Sequence, residues 1–316
     1  MEKVKVLVIG ANGFLGSHLV DSLTNRGYQV RAFDRFKDMK DVNFNLNDKV
    51  EVFLGDFLNQ TDIKTALDDI DYVFHLVSTT TPASADADPL IDIDTNIRGT
   101  VELLQRCVEQ GKIRRVIYSS SGGTVYGDFA SENPIPEETA THPVSPYGIG
   151  KVAIENYLSY FNRKYQLDYT IFRIANPYGE RQPLLRKQGV IPIFADLILN
   201  EKPITVYGDG SMIRDYVYVK DVAEIMAESL QYPSLKNETV NLGSGIGESI
   251  NQIITELEKV IEKKAIVAYK EKPSTFVQSV VLDTQKLNQK METIALTPLD
   301  KGISQLVAYM KQEFKK

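Results

Sequence analysis

The segment that most constrains this chain is Val4–Ile9, followed at once by Gly10-Ala11-Asn12-Gly13-Phe14-Leu15-Gly16. Val4–Ile9 is rich in β-branched residues, the pattern of a strand buried on both faces. Phe14–Arg26 places Leu15, Leu19 and Leu23 at helical spacing, with Gly27 as a stop signal. A strand, a tight glycine turn and a helix make the opening unit of a dinucleotide-binding sheet. Gly10 permits the turn, Gly13 lets a ligand approach the backbone, and Gly16 lets the helix pack closely. The free N–H groups and positive dipole end of that helix suit the pyrophosphate of a dinucleotide.

The same rhythm continues through the first half. Gln29–Phe33, Val50–Leu54, Tyr72–Val77, Val116–Ser120 and Tyr169–Ala175 read as strands. Thr61–Asp69, Asp92–Gln110 and Ser145–Tyr165 read as helices, the second with Ile93, Ile97, Val101, Leu104 and Val108 along one stripe. Alternating strands and helices imply an α/β fold, a doubly wound parallel sheet of Rossmann type with right-handed crossovers. After about residue 176 the pattern changes to a smaller mixed α/β lobe. Val190–Asn200, Ser249–Glu262 (Ser249 as N-cap) and Asp300–Phe314 are its expected helices; Ile204–Tyr207, Thr239–Leu242 and Ile266–Tyr269 are its strands. Arg214–Val219 and Val222–Gln231 read as a strand and helix that rejoin the main sheet. The expected division is therefore 1–175 plus about 213–235 for the dinucleotide, and about 176–212 and 236–316 for the substrate.

Asp34 ends the second strand, at the position where a carboxylate accepts both hydroxyls of a ribose and repels an added phosphate. That favours NAD as cofactor. Arg31 and Arg35 lie nearby and read as solvated strand-end charges. Asp56, after Gly55, is either an acceptor for the adenine amino group or a cap for the next helix.

Tyr147 and Lys151 are four residues apart at a helix start and so face one way. A free tyrosine, with a pKa of about 10, is a poor base near neutrality. A neighbouring ammonium and a positive nicotinamide ring would both favour its phenolate. Tyr147 could then take a proton from a sugar hydroxyl while hydride leaves to the cofactor.

With these pieces in order, the chain resembles the extended short-chain dehydrogenase/reductase family, and within it the NAD-dependent nucleotide-sugar epimerases of the UDP-glucose 4-epimerase type. Ser145-Pro146-Tyr147-Gly148 with Lys151 is similar to that family's catalytic segment, and Thr124-Val125-Tyr126-Gly127 to the one before it. Arg173-Ile174-Ala175-Asn176-Pro177-Tyr178-Gly179 and Arg214 through Val222 resemble its substrate-lobe motifs. The resemblance implies a cofactor set of Gly10, Gly13, Phe14, Leu15, Gly16, Asp34, Asp56, Phe57, Leu76, Tyr147 and Lys151. It implies Asn176 on a phosphate or sugar oxygen and Arg214 on the diphosphate, unless Arg214 pairs with Asp215 or Asp221. Tyr207 borders the nucleotide base or belongs to the lobe core.

Two departures stand out. The family's hydroxyl three residues before the Val of its Val-Tyr-Gly is here Gly122, so the assisting hydroxyl comes from Thr124 or Ser121, with Thr124 preferred. An Arg-x-x-Asp pair late in the family's substrate lobe is replaced by Lys272-Pro273-Ser274-Thr275-Phe276. The related dehydratases and decarboxylases carry acidic residues just before Val-Tyr-Gly, where this chain has Gly123 and Thr124. The resemblance thus implies inversion at C4 of a UDP-hexose through a 4-keto intermediate, with a related nucleotide-sugar chemistry or a non-catalytic dinucleotide sensor as alternatives. Arg181 and Arg186 could meet a sugar carboxylate or be solvated loop charges.

Composition excludes other classes. The net charge of −6, without a dense Lys/Arg block, argues against a nucleic-acid surface. One cysteine, Cys107, forms no internal disulfide and reads as core, and His18, His75 and His142 are too scattered for a metal site. No stretch reaches the roughly 20 apolar residues that span a bilayer, so a cytoplasmic protein is expected. A homodimer through Asp92–Gln110 and Lys151–Tyr165 is expected from the resemblance, with Val152, Tyr157, Leu158 and Phe161 either at that interface or in the core.

Overall fold

A computed structural model describes residues 4–38, 42–80, 82–128, 134–184, 189–272, 277–292 and 295–313. Arg186, Pro273–Phe276 and the Lys315-Lys316 tail lie outside the described residues. The chain forms an α/β structure around a parallel seven-stranded sheet. Its strands are β1 (Lys5–Ile9), β2 (Gln29–Asp34), β3 (Val50–Leu54), β4 (Tyr72–His75), β5 (Arg115–Ser121) and β6 (Tyr169–Ile174), joined by β10 (Glu238–Leu242). Between β6 and β10 in the chain come β7 (Asn176–Tyr178), β8 (Ile204–Tyr207) and β9 (Ile213–Tyr218); β11 (Gly247–Ser249), β12 (Val267–Lys270) and β13 (Ser279–Val280) follow.

The large sheet runs β10-β6-β5-β4-β1-β2-β3, every pairing parallel. The order reverses between β1 and β4, and ligands of such sheets bind beyond the strand ends at that switch point. The double burial of β1 is explicit. Val6 and Val8 enter the core under one face, and Leu7 and Ile9 the core under the other, as a period of two requires. Helices Phe14–Asn25 and Val219–Glu228 pack together over the first face. Helices Arg98–Gln110 and Pro146–Tyr165 cover the second, with Leu158, Phe161 and Cys107 inside it. Leu158 and Phe161 are therefore intrachain core, whereas Tyr157 and Tyr160 are exposed.

Two expectations need correction. Ile213–Tyr218 does not rejoin the large sheet; β9 centres a second sheet, with β7, β11 and β13 paired to it. The seventh strand is β10, placed in the sequence reading with the smaller lobe; its Val240 and Leu242 are fully buried beside β6. Both segments are short strands of mixed polarity, and only long-range pairing separates them. Helix Val219–Glu228 does return to the large sheet's face. Secondly, Asp92–Gln110 is not one regular α-helix. It opens with a π-helical turn, Asp92–Ile97, and becomes α-helical from Arg98. The wider turn shifts the inward face by one position. Asp92 and Asn96 point inward, while Ile93, expected on the buried stripe, is 51% exposed.

Candidate active site

A cleft of about 560 Å³ opens at the C-terminal ends of β1, β2, β4, β5 and β6. Gly10 has φ +90°, a conformation glycine adopts without strain, and its N–H and that of Ala11 bond the Phe33 carbonyl of β2. A Cβ at Gly16 would lie 2.0 Å from the Gly10 oxygen, so only glycine lets the helix sit so near the turn. That helix starts at Phe14 with Gly13 as N-cap, no side-chain cap and no acidic residue in its first turn. Its first N–H groups are thus left for an anion. Asp34 is fixed across the turn, where its carboxylate accepts the Asn12 N–H at 2.8 Å and the Arg35 N–H at 2.7 Å. Donors for a pyrophosphate and a carboxylate for ribose hydroxyls therefore stand side by side, and the residues present fit a dinucleotide.

Gly10, Gly13, Phe14, Leu15, Gly16, Asp34, Asp56, Phe57 and Leu76 all line the cleft, as do Ser121, Thr124, Tyr147, Lys151 and Asn176. Asp56 accepts the Leu58 N–H at 2.9 Å, and the cap of the following helix is Asn59, which accepts from Thr61 and Asp62. The capping role weighed for Asp56 thus belongs to Asn59. Arg31 is not solvated. It is buried, donating to the carbonyls of Thr65, Ala66 and Asp68 at the end of helix Gln60–Ala66 and facing Glu51 at 3.0 Å. A cation at a helix C-terminus meets both free carbonyls and the dipole.

Tyr207 and Arg214 are not brought to this cleft. Tyr207 is 44% exposed on β8, in the two-stranded sheet with β12. The Arg214 guanidinium donates to the Ile213 carbonyl at 2.7 Å and the Val277 carbonyl at 2.8 Å. Neither acidic neighbour pairs with it among the described residues: Asp215 accepts from Ser244, Gly245 and Leu282, and Asp221 from Thr297. Asn176 is held by its amide on the Asp215 carbonyl at 2.9 Å.

Tyr147 and Lys151 stand on the first turns of helix Pro146–Tyr165, capped by the Ser145 hydroxyl on the Gly148 N–H. Lys151 is 6% exposed; its ammonium donates to the Ser119 carbonyl at 2.9 Å and lies 4.8 Å from the Tyr118 ring centre and 5.4 Å from that of Tyr147. Burial brings Lys151 down to about 8, opposed by the charges of Asp92 and Glu155. Tyr147 is pushed up to about 12, first by burial and then by Asp92, with a Ser78 hydrogen bond acting the other way. The expected lowering of this phenol is thus outweighed in the protein itself. The ammonium faces the ring and a carbonyl, while a carboxylate lies close by.

The wall opposite carries no carboxylate among the described residues. A Cβ at Gly123 would find only Asn176 Oδ1 at 3.9 Å and Ser121 Oγ at 4.0 Å. The Thr124 hydroxyl reaches the Ser121 carbonyl at 3.5 Å, a long hydrogen bond. The sequence reading missed Ser78, Thr79 and Thr80, which line the cleft, and the Asp92–Asn96 pair behind them. Asn96 accepts the Thr79 N–H at 2.9 Å, and Thr80 donates to Asp92. The available signal was two polar residues four apart in a stripe of apolar ones. A second fastening ties the Asn176 segment to the cofactor helix. The His18 ring bonds the Glu180 carbonyl at 3.0 Å, and Arg181 pairs with Asp21 at 2.8 Å. Burial brings His18 down to about 4, so it is neutral over the ordinary pH range.

Residues 6–243 match the profile of the NAD dependent epimerase/dehydratase family. The chain belongs to that family. It is 33% identical over 310 residues to a putative UDP-glucose 4-epimerase of Methanocaldococcus jannaschii, covering 97% of this chain and 98% of the relative. It is 30% identical over 308 residues to a dTDP-4-dehydro-6-deoxyglucose reductase of Escherichia coli, covering 96% of each. The structure of a Thermotoga maritima UDP-glucose 4-epimerase with UDP-glucose superposes with a TM-score of 0.91 at 32% identity, over 98% of this chain and 100% of that one. Membership of this family makes NAD the cofactor, and the glycine turn with Asp34 are the groups that would hold it.

Proposed function

We propose that the chain is a UDP-hexose 4-epimerase. The observation that carries this reading is the buried Lys151 with half-buried Tyr147 in a cleft whose wall at Ser121, Gly123 and Thr124 has hydroxyls and, among the described residues, no carboxylate. Elimination of water or loss of carbon dioxide needs an acid or base placed there, whereas inversion at C4 needs one group that takes a proton and returns it. NAD, held by the glycine turn and Asp34, would supply the hydride acceptor and donor for C4. Tyr147 holds the proton of the 4-hydroxyl in the interval, and Lys151 supplies the chain's own positive charge beside the ring. Ser121 is the better candidate for the assisting hydroxyl, because Thr124 already points to a backbone carbonyl. Asn176 stands where it can meet the sugar or its phosphate. Arg214 and Tyr207 reach the nucleotide only if their lobe closes. A cytoplasmic homodimer, with Tyr157 and Tyr160 on the outward helix face, completes the proposal.

A second reading, reduction of a 4-keto sugar, is favoured by the similarity to the reductase. A proton NMR time course on UDP-glucose, UDP-N-acetylglucosamine and UDP-glucuronate, without added reductant, separates the two. The epimerase reading expects a 4-epimer approaching equilibrium with no net NADH change, and a Tyr147→Phe variant reduced by about 10²–10⁴-fold. A parallel run supplies a 4-keto nucleotide sugar with reduced dinucleotide; stoichiometric consumption of both there, with no 4-epimer from any UDP-sugar, overturns it.

A further inference from the structure

Asp92 is a buried carboxylate, 3% exposed, on the π-helical turn. Its Oδ1 accepts from the Thr80 hydroxyl and, at 2.7 Å, from the Asn96 amide. Its Oδ2 lies against Gly150, where an added Cβ would come within 1.9 Å of it. Gly150 is the residue between Tyr147 and Lys151 that presents no side chain to this carboxylate. One oxygen therefore fastens the cleft-wall loop of Thr79 and Thr80, and the other reaches under the turn that carries the acid/base pair. The π turn makes this possible, because regular helical spacing would have pointed Ile93 inward instead.

We propose that Asp92 is a positioning residue for the Tyr147–Lys151 pair: a fixed negative charge beneath their turn that holds the Lys151 ammonium at the foot of the cleft. The charge is deployed where the chain has few others. Lys151 is faced by Tyr147 and Glu155 from its own helix, His75 from β4, Tyr118 from β5 and Asp92 from the π turn. Glu155 is engaged by Arg173 at 2.7 Å and by the Ser120 hydroxyl. His75 is neutral, brought down to about 3 by burial and by Lys151, and Tyr118 is an un-ionised phenol pushed well up by burial. Asp92 is the carboxylate facing Lys151 that no arginine or lysine pairs with among the described residues. The same charge opposes ionisation of Tyr147, so the phenolate that takes the proton must be drawn out by the Lys151 ammonium and by the positive nicotinamide ring of a bound cofactor.

The charge effect can be read without turnover; its catalytic meaning rests on the epimerase reading. Lysine 13Cε resonances of the whole protein are followed against pH, and Lys151 is assigned by its loss in Lys151→Met. In Asp92→Asn, the Lys151 midpoint is expected to fall by roughly half a unit or more, since an attractive charge has gone. Asp92→Ser repeats the measurement if the amide does not fold. Thr80→Val, which removes a hydrogen bond and keeps the charge, leaves the midpoint in place. With a UDP-sugar that the wild type turns over, both limbs of the kcat profile shift to lower pH in Asp92→Asn. The phenol ionises more readily and the ammonium is lost sooner, whereas loss of mere support would scale kcat down at every pH. An unmoved Lys151 midpoint in the folded neutral variants overturns the assignment whatever the substrate. A moved midpoint in a protein that epimerises no UDP-sugar supports the charge assignment and overturns the functional reading instead.

Discussion

Lys151 should be a site where stability and activity oppose each other. Its ammonium is buried, and its pKa is brought from 10.5 to about 8. That lowering corresponds to about 3 kcal/mol by which folding disfavours the charged form. That figure is already net of attraction from Asp92 and Glu155. Lys151→Met keeps an unbranched side chain one atom shorter, removes the charge and gives up the bond to the Ser119 carbonyl, worth about 1 kcal/mol. The variant is expected to be about 2 kcal/mol more stable than wild type at pH 7, and to lose turnover. The sign with pH follows from the lowered value. The cost of the lysine is complete below pH 8, shrinks as the native ammonium deprotonates, and is gone above the unfolded value near 10.5. Between pH 7 and pH 10 the wild type should regain about 2–3 kcal/mol on the variant. Urea unfolding of both cofactor-free proteins at the two pH values measures this. Equal stability at pH 7, or an advantage for Lys151→Met unchanged at pH 10, refutes the reasoning.

Two further substitutions test the surroundings. Gly16→Ala puts a methyl 2.0 Å from the Gly10 oxygen; it should cost about 1–3 kcal/mol through overpacking and weaken NAD at least tenfold by calorimetric titration, and unchanged affinity would count against the glycine-turn assignment. Glu155→Ala removes the carboxylate paired with buried Arg173; a loss of about 3 kcal/mol in urea unfolding is expected from the uncompensated guanidinium, and a loss below about 1 kcal/mol would mean that Tyr126 and the Glu137 carbonyl suffice to hold it.

Local signals were legible where chemistry and secondary structure share a short stretch. The glycine turn, Asp34 and the Tyr147–Lys151 pair each sit at the junction of a strand and a helix, and the parallel sheet brings all three to one edge. Arg31 was misjudged because a strand-end arginine looks alike whether it meets water or the carbonyls closing another helix. β9 and β10 exchanged places in the reading because a short strand does not carry the name of its neighbour. Asp92 and Asn96 were hidden for a different reason. A test that assumes 3.6 residues per turn puts them on the outer face, and only the π turn brings them in. Arg214 and Tyr207 show the converse, since a motif fixes the residue but not the cleft it reaches.

The His18–Glu180 and Arg181–Asp21 contacts bear on how a sugar could present both faces to one hydride donor. They rivet the segment following Asn176 to the first helix, and the neutral imidazole keeps its grip from mildly acidic to alkaline solution. Floor and side wall are then fastened to each other at two points. Under the epimerase proposal, the half-turn falls to the hexose itself, pivoting about its phosphate tether. The breadth of that swing, more than the chemistry of the tyrosine, would decide which substituents on the ring are tolerated.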